Sequence, residues 1–253
     1  MNLDIIQHFD ERADSYDRAE WVRDPAVMAV MIDFLGLAPK QRILEIGAGT
    51  GAVLAAALAA CPELGECVAL DVSRRMLARI RDPRIRTCCH NAEKLPFGDG
   101  YFDAVVCRQA LHYIDDLDQC LREVGRVLSP AGVLAVGQTT PFSHVDEAWW
   151  KIVVKARQPL RRHMLTLHEL IARLMRNGFV VVRTSQTRAT ESLQAWLGRY
   201  ERSAEQVAEV CRLHREAPAA YKELHCFREA DGDTLIDNCW TFIQARKSAA
   251  GSR

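Results

Sequence analysis

The sequence has no excess of charge of either sign: Lys plus Arg number 33, and so do Asp plus Glu. Proteins that hold nucleic acid by its phosphates carry a cationic surplus, so no nucleic-acid partner is expected. A membrane span is missing too. The longest apolar run, Ala52 to Cys61, is alanine-rich and far short of the roughly 20 residues a spanning helix needs. The opening residues, Met-Asn-Leu-Asp-Ile-Ile, have neither the cationic start nor the cleavage site of a signal peptide, so a soluble, cytoplasmic chain is expected. None of the nine cysteines forms a C-x-x-C pair, the spacing zinc sites use, and no metal is expected. Cys67, Cys107 and Cys120 lie inside apolar stretches and read as buried free thiols in a reducing compartment. Internal repeats and low-complexity tracts are also lacking. What remains, 49% apolar and 26% charged residues over 253 positions, is the composition of a compact globular chain.

Short apolar, partly β-branched runs alternate with helical patterns, which points to βαβ units and a mostly parallel sheet. Strands are predicted at Arg42–Ile46, Cys67–Asp71, Ile85–Cys89, Asp103–Arg108, Val133–Gly137, Phe179–Arg183 and Cys239–Ala245. Between the fourth and fifth, Leu117, Cys120, Leu121, Val124, Val127 and Leu128 recur at helical spacing, and Ser129-Pro130-Ala131-Gly132 stops that helix. Thr166 and Glu169 have capping-box spacing, and Asn177-Gly178 ends the helix they start. Residues 1–35 read as an N-terminal helical cover, ahead of one domain over 36–253. Helical inserts at about 142–165 and 190–236 interrupt that domain. In an open parallel sheet ligands bind beyond the carboxyl ends of the strands, and inserts emerging there are natural lids.

Arg42-Ile-Leu-Glu-Ile-Gly-Ala-Gly-Thr-Gly51 is a strand running into a glycine-rich turn, with a helix from about Ala52. Gly47, Gly49 and Gly51 let the backbone pass close to a ligand, and the helix start offers free N–H groups. Asp71 ends the second strand 20 residues after Gly51, where a carboxylate can accept from both hydroxyls of a ribose. Two cofactor classes fit. Gly47, Gly49 and Ala52 satisfy the dinucleotide pattern G-x-G-x-x-G/A, which admits NAD. Against NAD, Glu45 sets a carboxylate just before the turn, which suits a ligand with an ammonium group better than a pyrophosphate. The glycines are also spaced G-x-G-x-G, and the chain leaves no obvious second catalytic domain.

Ile43-Leu-Glu-Ile-Gly-Ala-Gly-Thr-Gly51, Leu70-Asp-Val-Ser73, Asn91-Ala-Glu-Lys-Leu-Pro-Phe97 and Phe102-Asp-Ala-Val-Val106, in that order, resemble the motifs of class I S-adenosylmethionine (SAM)-dependent methyltransferases. The branch most similar includes the ubiquinone and menaquinone C-methyltransferases. Arg126–Leu134 and Asn177-Gly-Phe179 resemble that family's turns into its fifth and sixth strands, so the resemblance covers roughly residues 40–185. It implies an α/β, Rossmann-like, seven-stranded, mostly parallel sheet with the last strand antiparallel, plus helical lid insertions. SAM is the implied cofactor and S-adenosylhomocysteine (SAH) the product. On matching positions, the Gly47–Gly51 loop would cradle the methionine portion, supported by Glu45, and Asp71 would hold the ribose hydroxyls. Val72 and Met76 would pack on the adenine, although Met76 reads equally well as helix-face core. Asn91 and Ala92 would meet the adenine edge. The family has Asp where this chain has Asn91, whose amide carbonyl can still accept from the adenine amine. Arg108 and Gln109 would give backbone contacts to the methionine amine. Phe9 to Asp17 resembles the family's entry helix, which makes Tyr16 a candidate to close over the cofactor carboxylate or an aromatic packed on a surface helix. Arg23 is a second candidate for the carboxylate.

Transfer of an activated methyl requires an aligned acceptor, and a base where the acceptor must lose a proton. His112, in Gln109-Ala-Leu-His-Tyr113, is the candidate base or else a histidine bonded within its turn, and Tyr113 is a substrate hydrogen-bond donor or packing. Thr139, Thr140, Phe142, His144, Trp149 and Trp150 follow the fifth strand, where aromatic walls would suit a planar acceptor, or where the Trp pair anchors a lid helix. Lys155, Arg157, Arg161, Arg162 and His163 form a basic cluster, read as a solvated face, with an acidic substrate or phosphate as the alternative. The expected function is SAM-dependent methylation of a small aromatic, heteroaromatic or quinone-like metabolite, with O-, N- and C-transfer open. Both inserts would form the acceptor pocket. A non-catalytic SAM-binding sensor or partner subunit and an NAD-dependent oxidoreductase are the alternatives, and oligomeric state is left open.

Overall fold

The computed structural model describes residues 3–197, 203–230 and 232–248. Residues 1–2 of the cover, 198–202 and 231 of the second insert, and 249–253 of the domain lie outside the described residues. Helices α1 (Leu3–Arg12) and α2 (Pro25–Leu35) lead to β1 (Ile43–Ile46), α3 (Ala52–Ala60), β2 (Cys67–Asp71), α4 (Arg74–Leu77), β3 (Ile85–Cys89), β4 (Phe102–Arg108), α5 (Leu117–Val127) and β5 (Leu128–Thr140). Then come α6 (His144–Arg157), α7 (Leu167–Arg176), β6 (Phe179–Ser192), α8 (Leu193–Leu197), α9 (Ala204–Glu216), α10 (Ala219–Leu224), β7 (Arg228–Ala230) and β8 (Asp233–Lys247).

The sheet order is β3-β2-β1-β4-β5-β8-β6, with β7 on β8. β3, β2, β1, β4 and β5 are parallel, and β8 runs antiparallel to β5, β6 and β7. β1 and β2 are buried along their whole length because helices cover both sheet faces, which is why they read as unbroken apolar runs. α5 and α7 cover one face through Leu121, Val124, Leu170 and Leu174. Helices α2 and α3 cover the other through Met31, Leu35, Leu54 and Leu58. Most of α2 therefore belongs to the sheet layer, and residues 3–24 alone of the expected cover lie over the carboxyl edge. A third cluster joins Trp150, Val153 and Val154 of α6 to Trp196, Val210 and Leu213, so the lid has a small core of its own. Among the described residues no helix is long and apolar enough to cross a membrane.

The sheet has eight strands rather than seven, the addition being the three-residue β7 hairpinned to β8. Two strands also run much longer than their apolar cores suggest. β6 continues to Ser192 and β8 begins at Asp233, so the second insert is framed by the pairs Glu191↔Ile236 and Ser192↔Leu235 and is helical only between them. β6 is the edge strand of the sheet, and beyond Arg183 every second side chain is exposed. Thr184, Gln186, Arg188 and Thr190 consequently show no apolar alternation. Ser129–Gly132 is extended and forms the start of β5.

The capping box on α7 is closed: Thr166 Oγ1 accepts from Glu169 N at 3.2 Å and Glu169 Oε2 accepts from Thr166 N at 2.8 Å. Thr166→Ala is expected to lower the unfolding free energy by about 1 kcal/mol in urea titrations. An unchanged midpoint would show that α7 does not depend on this cap.

Candidate active site

Four strand ends converge at the carboxyl edge. β1 delivers Gly47 and Gly49, β2 delivers Asp71 and Val72, β3 leads to Asn91 and Ala92, and β4 ends at Arg108 and Gln109. Together with Met76 they line one cavity of about 830 Å³, open mouth included.

The turn after β1 needs glycine at two positions for different reasons. Gly47 has φ +63°, and a Cβ there would stand 2.2 Å from Ala110 Cβ. Gly49 has φ +53°, and a Cβ there would project between Tyr16 Cε1 and Met76 Cε, 3.7 and 3.9 Å away. All three of those residues line the cavity, so the position is a cradle that a side chain would fill. Asp71 locks it. Its Oδ2 accepts from Gly49 N at 2.8 Å and its Oδ1 from Ser73 N at 2.9 Å, with lone pairs to spare on each oxygen. Burial raises the Asp71 pKa, and the amides of Ser73, Gly49 and Val72 oppose that rise.

Glu45 and Gly51 stand behind the cavity and do not line it. Gly51, at φ +76°, starts α3 against Ile80. Glu45, only 3% exposed, accepts from Leu54 N in the first turn of α3 at 3.2 Å. Burial pushes its carboxyl up to about 8, against the opposing pull of Arg108 and the Leu54 amide. Arg108 directs its guanidinium to Trp21 O at 3.2 Å and Val22 O at 2.8 Å, and burial lowers its pKa. Gln109 sits at φ +56°, a left-handed conformation that costs a non-glycine residue about 1–3 kcal/mol. Its N–H is held by Gly137 O at 2.9 Å.

Residues 3–24 are fastened over this edge by polar links. Ser73 Oγ donates to Asp10 Oδ1 and Thr50 Oγ1 to Asp17 Oδ1, both at 2.5 Å, while Arg75 and Arg79 pair with Asp14 at 3.1 and 3.2 Å. Phe9 and Tyr16 are thereby set at the cavity wall, and burial pushes the Tyr16 hydroxyl well above its ordinary pKa. Arg23 is not brought in: it pairs with Asp17 at 2.9 Å on the surface.

A second cavity, about 640 Å³ on the same measure, adjoins the first. Phe9, Tyr16, Gln109 and Tyr113 line both. Its remaining wall includes Trp21, Trp150, Trp196 and Trp240, with His112 and Thr139. Phe142, His144 and Trp149 do not reach it. On α6, Trp150, Val154 and Arg157 share the inward face at positions i, i+4 and i+7, and Trp149 points about 100° away. Phe142 packs edge-on against His225 at 5.0 Å, and His144 is exposed.

His112 is buried, and Gln138 Nε2 donates to its Nδ1 at 2.8 Å and to Gln109 Oε1 at 2.9 Å. Burial, reinforced by the charge of Arg161, holds the imidazole pKa well below its ordinary value. In this arrangement the ring is neutral, with Nδ1 accepting and the hydrogen on Nε2. Tyr113 OH accepts from Gln158 Nε2 at 2.9 Å.

The basic cluster divides. Lys155 and Arg162 are exposed, whereas Arg157 and Arg161 turn into the second cavity, where Arg12 of α1 joins them. The cavity residues that sequence reasoning missed come largely from remote chain: Glu191, Trp196 and Asn238 arrive on the overhanging ends of β6 and β8, or just after them, and Trp240 lies in β8 opposite Thr139 of β5. No local motif marks them. Trp21 had only its aromatic character beside the entry helix as a signal.

Residues 44–136 match the sequence profile of a methyltransferase domain. UbiE of Vibrio cholerae, a ubiquinone/menaquinone biosynthesis C-methyltransferase, is 38% identical over 113 residues, 42% of this chain and 44% of that protein. The chain spans about half the length of the curated quinone methyltransferases it matches. YcgJ of Bacillus subtilis, an uncharacterized methyltransferase, is 26% identical over 235 residues, 87% of this chain and 92% of that protein. Its crystal structure shares the fold, with a TM-score of 0.77 at 23% identity over 89% of this chain and 99% of that one. A candidate methyltransferase of Bacillus halodurans gives a TM-score of 0.79 at 22% identity, covering 88% of this chain and 99% of that one.

Glu45 carries its own pH signature. Its carboxyl ionises near the ordinary 4.5 in the unfolded chain but near 8 in the folded one, so folding takes up a proton between those values. Stability is therefore lost as pH rises through that window and levels off above it. Glu45→Gln, which mimics the protonated acid, is expected to match the parent near about pH 4 and to gain on it steadily up to about pH 8 in urea unfolding. Parallel pH profiles would contradict a buried, protonated Glu45.

Proposed function

We propose that this chain, a member of the class I S-adenosylmethionine-dependent methyltransferases, methylates a small aromatic, heteroaromatic or quinone-like ring held in the second cavity. The observation that carries this reading is the shared wall: Phe9, Tyr16, Gln109 and Tyr113 separate the cleft at the strand ends from a cavity walled by four tryptophans.

The residues present fit SAM. The Gly49 cradle would take the methionine portion, Asp71 the ribose hydroxyls, and Val72, Met76 and Ala92 the faces of the adenine. Asn91 Oδ1 accepts from Glu93 N at 2.9 Å and keeps a second lone pair for the adenine amine. The chemistry that bound SAM supplies is a methyl group activated on a sulfonium. The chain's own contribution is alignment and exclusion of water, and alignment alone can be worth about 7–11 kcal/mol. Phe9 and Tyr16 close the cleft from the cover, and α6 and α8 wall the acceptor side with Trp150 and Trp196. Gln109, held in its left-handed conformation, and Tyr113, held by Gln158, keep the partition rigid.

His112 has its accepting nitrogen occupied by Gln138. We assign it the role of offering Nε2–H to a heteroatom of the acceptor, orienting the ring, in place of the general base its sequence position suggested. The acceptor is a free metabolite, in keeping with the balanced charge of the chain.

Asp71→Ala removes the ribose acceptor and is expected to weaken SAH binding at least about tenfold by calorimetry, the size of a charge-assisted hydrogen bond. Unchanged affinity in a folded variant would overturn the assignment. His112→Ala is expected to slow label transfer from methyl-labelled SAM to hydroxy- and amino-arenes while SAH affinity stays within about twofold. Transfer at the parental rate would remove His112 from the site, and no transfer to any ring acceptor would overturn the proposed substrate class.

A further inference from the structure

We propose that the acceptor carries a carboxylate and that Arg161, in the second cavity, is the group that receives it. This rests on the functional reading above and narrows its substrate class.

Arg161 lies in the turn after α6 and is 6% exposed. Its Nε and Nη1 have no hydrogen-bond partner among the described residues, and its side chain lines the acceptor cavity. Other guanidiniums embedded in the fold are satisfied: Arg108 donates to Trp21 and Val22 carbonyls, Arg126 to Phe97 and Leu95, and Arg157 to Trp196. An arginine kept for packing would be expected to find such acceptors. Arg161 is instead laid 5.9 Å from the Trp150 ring, and its turn is pinned by Arg161 N to Gln158 O at 3.1 Å and Lys155 Nζ to Arg161 O at 3.2 Å.

Its charge is uncompensated in place. Burial pulls the Arg161 pKa down to about 10, the nearby Tyr113 hydroxyl opposes that, and the Arg157 guanidinium adds to it. Among the described lining residues, Arg12, Arg157 and Arg161 face one carboxylate, Glu191, which accepts from Asn238 Nδ2 at 2.5 Å. A buried cation without a partner is costly to fold, and the cost is offset when a ligand brings the anion. A guanidinium holds its N–H donors in one plane and suits a carboxylate, and Nε and Nη1 of Arg161 have no bond to the described residues. Flat indole walls beside it suit the ring to which that carboxylate is attached. Three guanidiniums against one carboxylate leave the cavity cationic, and the phenyl phosphate arm of the test separates a carboxylate from a dianion.

The test is calorimetric titration of the protein, with and without SAH, with benzoate, benzamide and phenyl phosphate. Benzoate is expected to bind at least about tenfold more tightly than benzamide, and Arg161→Gln to abolish that difference while SAH affinity stays within about twofold. Equal binding of benzoate and benzamide, or undiminished benzoate binding by Arg161→Gln, would overturn the proposal. Preference for phenyl phosphate would overturn the carboxylate assignment. Arg161→Leu adds a readout that a structural arginine would move the other way: its Tm without ligand should be no lower than the parent's, because an unpaired buried charge has been removed. A Tm several degrees lower would make Arg161 a packing residue and refute its role. Failure of SAH to bind the parent protein would instead strike the cofactor reading, and the benzoate–benzamide contrast measured without SAH would still read the anion site.

Discussion

The Asp71 carboxylate sits at the joint on which the rest of the site depends. By accepting from Gly49 N at the end of one strand connection and from Ser73 N at the start of the next, it ties the turn after β1 to the end of β2. The residues adjoining that bond carry the cover: Thr50 donates to Asp17 and Ser73 to Asp10. A single buried acid thus sets the left-handed turn and aligns the two hydroxyls that fasten residues 3–24. Because the cover supplies Phe9 and Tyr16, it also determines where one cavity stops and the next begins.

The two cavities are electrostatically unlike although the chain as a whole is neutral. The first is lined by the acidic side chains of Asp71, Glu93 and Asp115 with Arg108, and Glu45 behind it is held protonated by burial, so it adds no charge near neutrality. The second gathers guanidiniums on indole faces, including Arg157 over Trp196 at 4.3 Å. Segregation of this kind is invisible to a net charge. It underlies the proposed division of the cleft, a ribose and adenine on one side and an anionic ring on the other.

The parallel half of the fold was legible because fully buried strands read as apolar runs and the glycine turn follows one of them. Gly47, Gly49, Asp71, Val72, Asn91, Ala92, Arg108 and Gln109 all reach the first cavity for the same reason: each stands at or just after the carboxyl end of a parallel strand, a place that order along the chain reveals. Glu45 stands behind the loop, bonded to Leu54 N, and a surface acid captures Arg23. The acceptor side was harder. Trp149 and Trp150 are indistinguishable as neighbours in sequence, and one helical step decides which faces inward. Arg161 was equally hidden among exposed basic residues. The overhanging ends of β6 and β8 bring Glu191 and Asn238 from chain regions that carry no motif at all.

The most direct measurement is equilibrium titration of the protein with SAM, SAH and NAD by calorimetry. Micromolar binding of SAM and SAH with no heat from NAD is the predicted result, because Asp71 is proposed to hold a ribose and the Gly49 cradle the amino-acid tail beside it. Binding of NAD without SAM or SAH would contradict the account and reassign Asp71 to a dinucleotide ribose.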